Sequence, residues 1–107
     1  MLRLVTFVVL ACGIASCGDP PNVSGTCTAN ADCDEGLTCD TAVPMGYCTK
    51  ACTTAGSTDQ CPEDTVCDAL SGTSLGCVKI CSVQSDCRAD LSCNGVSGSS
   101  HKACKPT

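Results

Sequence analysis

CTANADCDEGLTCDTAVPMGYC, residues 27–48, sets four cysteines at spacings of x5, x5 and x8. The pattern returns twice. Residues 52–77 run C-x8-C-x5-C-x9-C, residues 81–104 run C-x5-C-x5-C-x10-C, and three residues separate each set from the next. Four cysteines recurring every 25–29 residues mark an internal repeat. The chain divides into repeat 1 (residues 27–51), repeat 2 (52–80) and repeat 3 (81–107). Residues between the cysteines recur too. An Asp stands at or just before the second cysteine (Asp32, Asp59, Asp86). An apolar residue precedes the third (Leu37, Val66, Leu91), and Asp40, Asp68 and Asn94 follow it.

Of 107 residues, 14 are cysteine, against one Phe, one Tyr and no Trp. From residue 17 onward, Val, Ile, Leu, Met and Tyr together number 13 in 91 positions. That is thin material for a core, and short chains so composed rely on covalent staples or metal. Such a cysteine fraction in a short exported chain points to a disulfide scaffold. A Rossmann-type enzyme, a helical bundle and a pore are disfavoured. The expected fold class is small and disulfide-rich, mostly irregular with short β-hairpins, in three tandem four-cysteine repeats after a cleaved signal. Residues 37–39 and 47–49 pair around Pro44-Met45-Gly46, and residues 65–67 and 76–78 pair around Ser71-Gly72-Thr73. The short links, residues 49–51 and 78–80, suggest units stacked end to end in a stubby rod, each stabilised by itself with no shared core.

The N-terminus reads as an address. Arg3 precedes an apolar run of 12 residues, 4–15, which fits a secretory signal and falls short of the roughly 20 residues of a membrane-spanning helix. Ile14-Ala15-Ser16-Cys17 resembles the lipobox of bacterial lipoproteins. The resemblance implies a signal peptide over residues 1–16, cleavage before Cys17 and lipid on that cysteine. Val9-Leu10-Ala11-Cys12 fits less well. Counting agrees: with Cys17 lipidated, 12 cysteines remain, an even number. Residues 17–26 then form a lipidated cysteine and a flexible polar tether. Asn22-Val23-Ser24 matches a glycosylation sequon but carries little weight beside a bacterial lipobox.

Cys27-Thr-Ala-Asn-Ala-Asp32-Cys33-Asp-Glu-Gly36-Leu-Thr-Cys39 resembles the core of Dickkopf N-terminal cysteine-rich domains, and the spacing is similar to EB-like extracellular modules. The fuller motif is confined to repeat 1, since Asp64 and Asp90 stand where Gly36 stands. The resemblance implies an extracellular, disulfide-held interaction module. Four cysteines allow three connectivities. Likeness to small EGF-like modules implies the interlaced one: Cys27–Cys39 with Cys33–Cys48, Cys52–Cys67 with Cys61–Cys77, and Cys81–Cys93 with Cys87–Cys104.

Catalytic chemistry has little support. His101 is the one histidine and lies beside a Gly-Ser loop, residues 95–100. Thiolate metal sites favour x2 or shorter spacings, whereas x3 is the shortest downstream of Cys17. Beyond residue 16 there are 11 acidic and 5 basic residues. Asp32, Asp34, Glu35 and Asp40 are weak Ca²⁺ candidates, against the simpler reading that Asx side chains beside cysteines cap turns. The scattered Lys and Arg argue against nucleic acid. No cofactor is expected. The leading expectation is an exported, lipid-anchored, non-catalytic envelope module that binds an unidentified extracytoplasmic protein or serves envelope structure; the sequence does not choose between inner and outer membrane. The alternatives are a small inhibitor or toxin-like protein presenting residues 42–45 or 70–74, and a Ca²⁺-binding acidic repeat protein.

Overall fold

The computed structural model describes residues 22–72 and 74–106. The signal peptide over 1–16, Cys17 and residues 18–21 of the tether lie outside the described residues. Six strands form two antiparallel sheets. In repeat 1, β1 (Thr38–Asp40) pairs with β2 (Tyr47–Thr49). Repeats 2 and 3 share one four-stranded sheet of order β3-β4-β6-β5, built from β3 (Thr65–Ser71), β4 (Ser74–Cys81), β5 (Leu91–Gly95) and β6 (Lys102–Pro106). Each repeat thus contributes one hairpin, including a third, β5–β6, which sequence reasoning did not anticipate.

The hairpins form where small and β-branched residues flank turn formers. Gly46, at φ +74°, closes the β1–β2 turn, and a Cβ at that position would overlap the Cys27 carbonyl. Gly72, at φ +58°, lies between β3 and β4. Left-handed backbone at both suits the residue without a Cβ.

The six disulfides interlace first to third and second to fourth in every repeat: Cys27–Cys39, Cys33–Cys48, Cys52–Cys67, Cys61–Cys77, Cys81–Cys93 and Cys87–Cys104. They close loops of 12–17 residues. In the chain-entropy account, a loop of that size is worth on the order of 3 kcal/mol.

Two sequence expectations are corrected. The repeats are not stacked end to end around separate interiors. One hydrophobic cluster takes Val23, Val43 and Tyr47 from the N-terminal part, Val66, Leu70 and Val78 from repeat 2, and Leu91, Val96 and Ala103 from repeat 3. Two or three apolar side chains per repeat cannot exclude water alone, but pooled they can. Nor does the tether extend to residue 26. Val23, the one large apolar side chain in that stretch, is buried in the shared core. Ser24 N–H donates to the Cys48 carbonyl, and Cys48 N–H donates to Gly25. Residues 22–26 therefore belong to the folded body.

Candidate functional site

The third and fourth cysteines of each repeat face each other across a hairpin: Cys39 opposite Cys48, Cys67 opposite Cys77, and Cys93 opposite Cys104. Directly opposed residues project from the same face of a sheet. Both bridges of a repeat therefore leave the hairpin on one side and run to the first and second cysteines, and the sulfurs gather. Sγ atoms of Cys27, Cys33 and Cys48 lie within 4.8 Å of one another, as do those of Cys52, Cys61 and Cys77, and of Cys81, Cys87 and Cys93. These sulfurs are all in disulfides, not thiolates free to ligate a metal.

The acidic candidates serve the backbone. Asp32 Oδ2 accepts from Thr28 N–H (2.9 Å), Thr28 Oγ1 (2.9 Å) and Ala29 N–H (3.1 Å), closing the 3-10 turn Asn30–Asp32. Asp86 repeats this in the 3-10 turn Gln84–Asp86, accepting from Ser82 and Val83 N–H. The donors, led by Thr28 N–H for Asp32 and Ser82 N–H for Asp86, hold both carboxyls below the usual carboxylate range. In repeat 2 the position belongs to Gln60, whose Oε1 accepts from Thr53 and Thr54 N–H. The sequence equivalence assigned to Asp59 is thereby corrected. Asp40 is likewise occupied: Oδ1 accepts from Ala42 N–H and Oδ2 from Ser71 Oγ. Asp34 Oδ1 accepts from Glu35 N–H. Among the described residues, Asp32, Asp34, Glu35 and Asp40 do not converge on a common point as a Ca²⁺ shell requires.

A second threefold device protects the outer edge of each hairpin. The third-cysteine N–H donates to Asn30 Oδ1 in repeat 1, to the Ser57 carbonyl in repeat 2 and to Gln84 Oε1 in repeat 3. An edge so occupied offers that group to no incoming strand.

Arg88 was not singled out by sequence reasoning, yet it joins repeat 3 to Ser24 and to the β1–β2 turn of repeat 1. Nε and one terminal nitrogen fork onto the Asp90 carboxylate at 2.8 and 2.9 Å. The other terminal nitrogen donates to Ser24 O (3.0 Å) and Gly46 O (2.8 Å), while the guanidinium lies 5.9 Å from the centroid of the Tyr47 ring. The Arg88 fork lowers the pKa of Asp90. Tyr47 is fully buried; its hydroxyl donates to Cys104 O at 2.7 Å and accepts from Lys79 N–H at 3.2 Å. Burial pushes its pKa to about 12. Between repeats 2 and 3, Lys105 Nζ meets the buried Asp68 carboxylate at 2.9 Å.

Among the described residues, few large apolar side chains face outward. Met45 is 66% exposed and Val83 is 56% exposed. Met45 stands at φ +68° on the β1–β2 turn, between shallow depressions flanked by Thr28 and Pro44. Of the segments considered as inhibitory loops, residues 42–45 bury Val43, and residues 70–74 bury Leu70. A cleft of about 220 Å³ separates Asn22 and Val23 from the Pro62–Thr65 turn, with Lys79 on its wall. His101 is exposed, and its N–H is taken by Ser99 Oγ.

Neither the family models, the curated proteins nor the solved structures match this chain. Six disulfides in so small a body belong to an oxidising, extracytoplasmic environment, because cytosolic thiol pools keep cysteines reduced.

Proposed function

We propose that the chain is a lipid-anchored, non-catalytic envelope module that presents a rigid surface to another extracytoplasmic protein. One observation carries this reading. The carboxylates of Asp32, Asp34 and Asp40, which the sequence offers as calcium ligands, accept local hydrogen bonds instead, while Met45, the most exposed large apolar side chain among the described residues, stands on a braced turn. Arg88 grips the carbonyls on both sides of that turn, at Pro44 and Gly46, and Cys27 N–H donates to the Met45 carbonyl. A side chain held out on a fixed turn contributes apolar contact with little entropy left to lose on binding. The lipobox at 14–17 and the even cysteine count support the anchor. The Dickkopf-like and EB-like spacing of repeat 1 is compatible with an extracellular interaction role.

Two measurements test it. Intact mass of the mature chain is expected to show an acylated N-terminus at Cys17 and six disulfides; an unmodified Cys17 removes the anchor. Immobilised protein is expected to capture a specific partner from envelope extract and to lose it on Met45→Glu, with the fold unchanged. Equal capture by both forms removes the Met45 surface.

A further inference from the structure

We propose that each repeat is a thiol-triggered disulfide switch with a second, self-contained pairing: first cysteine to second, and third to fourth. This stands apart from the binding role and from the anchor. Two independent geometries carry it.

The first is the ladder. Cys39 and Cys48 are opposed, but neither N–H crosses between the strands: Cys39 donates to Asn30 Oδ1 and Cys48 to the Gly25 carbonyl. Their pairing is the narrow, non-hydrogen-bonded kind, in which Cα atoms approach to about 4.5 Å. A disulfide spans Cα separations of roughly 4.4–6.8 Å. Cys67 and Cys77 repeat the arrangement, donating outward to Ser57 O and Lys50 O. Cys93, opposite Cys104, donates to Gln84 Oε1. The second geometry is the sulfur cluster. In every repeat the Sγ atoms of the first and second cysteines, which belong to different bridges, lie within 4.8 Å.

The steps balance without net oxidation. A small-molecule thiolate attacks Cys39 Sγ, forms a mixed disulfide there and expels the Cys27 thiolate. Cys27 attacks Cys33 Sγ, forming Cys27–Cys33 and expelling the Cys48 thiolate. Cys48 attacks the Cys39 sulfur of the mixed disulfide, forming Cys39–Cys48 and returning the small thiolate. Two disulfides are consumed and two are made, and the thiol is a catalyst. In the starting pairing both bridges sew the first loop onto the hairpin. In the exchanged pairing no disulfide joins loop to hairpin, and in repeat 1 the segment 22–37 is tied to β1 and β2 only by its chain connection at Thr38 and by non-covalent contacts.

The test uses the oxidised chain with a trace of reduced glutathione, followed by acid quenching, alkylation and non-reducing peptide mapping. Cleavage before Asp32, Asp34 and Asp40 and after Lys50 puts each of the four cysteines of repeat 1 in its own peptide, apart from Cys52. A Cys39–Cys48 linked pair of peptides is expected with glutathione and none without it, the disulfide count staying at six. Original links alone, or links between repeats, overturn the proposal. A second arm uses Cys39→Ser, which leaves Cys27 without its partner beside the Cys33–Cys48 bridge. The alkylated thiol is expected at Cys48; label confined to Cys27, or found at Cys33, overturns the relay. Should this variant misfold, the glutathione arm decides alone.

Discussion

The Tyr47 hydroxyl, in repeat 1, donates to the Cys104 carbonyl of repeat 3 at 2.7 Å while accepting from Lys79 N–H of repeat 2. One side chain therefore touches the backbone of both other units from inside the shared core. Tyr47→Phe keeps the ring but leaves a buried carbonyl and a part-buried N–H without their partner, a loss on the order of 1–3 kcal/mol. Chemical denaturation is expected to show a single transition shifted to lower denaturant. Separate transitions for repeat 1 and for the four-stranded sheet would show that the repeats do not share cooperativity.

The same hydroxyl makes the protein sensitive to alkali. Burial raises its pKa from 10.0 to about 12. The neutral form is thus favoured in the folded state. The stability this contributes is complete below pH 10 and is lost as the pH rises through about 12. Tyr47 is the sole tyrosine and there is no Trp, so tyrosinate absorbance reports this one group. Titration of the folded chain is expected near pH 12, and titration of the reduced, unfolded chain near 10. Coincident curves would place the hydroxyl in water.

The Lys105–Asp68 bridge ties β6 to β3 across the intervening β4. Asp68 is only 4% exposed. Lys105→Met strands a buried carboxylate, a loss of roughly 3–5 kcal/mol for a buried pair, reduced here because Lys105 is partly open to solvent. The double variant Lys105→Met with Asp68→Leu is expected to recover much of it. Equal melting temperatures for single and double variants would show that the bridge carries no coupling.

The hairpins of repeats 1 and 2 are legible in the sequence because turn residues and β-prone neighbours are local signals. The cysteine periodicity is legible for the same reason. The shared core is not. Counting apolar residues repeat by repeat makes each unit look coreless, and only the closure of three units around Tyr47 shows that the small contributions add. Gln60 escaped because its role depends on an amide oxygen reaching two N–H groups, whereas pattern matching favoured the neighbouring Asp59. Arg88 looked like one of several scattered cations, and its value lies in contacts with residues 42 and 64 positions away. Val23 looked like a stray apolar residue in a polar tether until its burial placed it in the core.

Acid should loosen the first loops of repeats 1 and 3 before repeat 2. Backbone donors, Thr28 for Asp32 and Ser82 for Asp86, hold those carboxyls below 3.8, and the stability they bring is present above that value and lost as pH falls through the lowered one. Gln60 occupies the same place in repeat 2 and does not titrate. Hydrogen exchange at low pH is expected to speed at Thr28, Ala29, Ser82 and Val83 while Thr53 and Thr54 keep their protection. Uniform loss across the three loops would show that the carboxylates are not the cause. Asp32→Asn is expected to bring loop 1 to the behaviour of loop 2.

Two glycines on hairpins separate local tolerance from a packing requirement. Gly95 ends β5 with nothing within 4 Å of an added Cβ and no left-handed φ. Gly95→Ala is expected to leave the melting temperature within a degree or two, in keeping with surface changes of about 0.5 kcal/mol or less. Gly46 meets both obstacles, a φ of +74° and a Cβ that would overlap the Cys27 carbonyl. Cys27 cannot yield easily, since its sulfur is bonded to Cys39 and its N–H donates to Met45. Nor can the turn move outward without breaking the Arg88 contact with the Gly46 carbonyl. Gly46→Ala is therefore expected to cost more than about 1 kcal/mol and to slow oxidation of repeat 1 selectively. The readout is the order in which the six bridges close during oxidative refolding. If Cys27–Cys39 closes as fast in Gly46→Ala as in the native sequence, the tight approach of this turn to Cys27 does not limit folding.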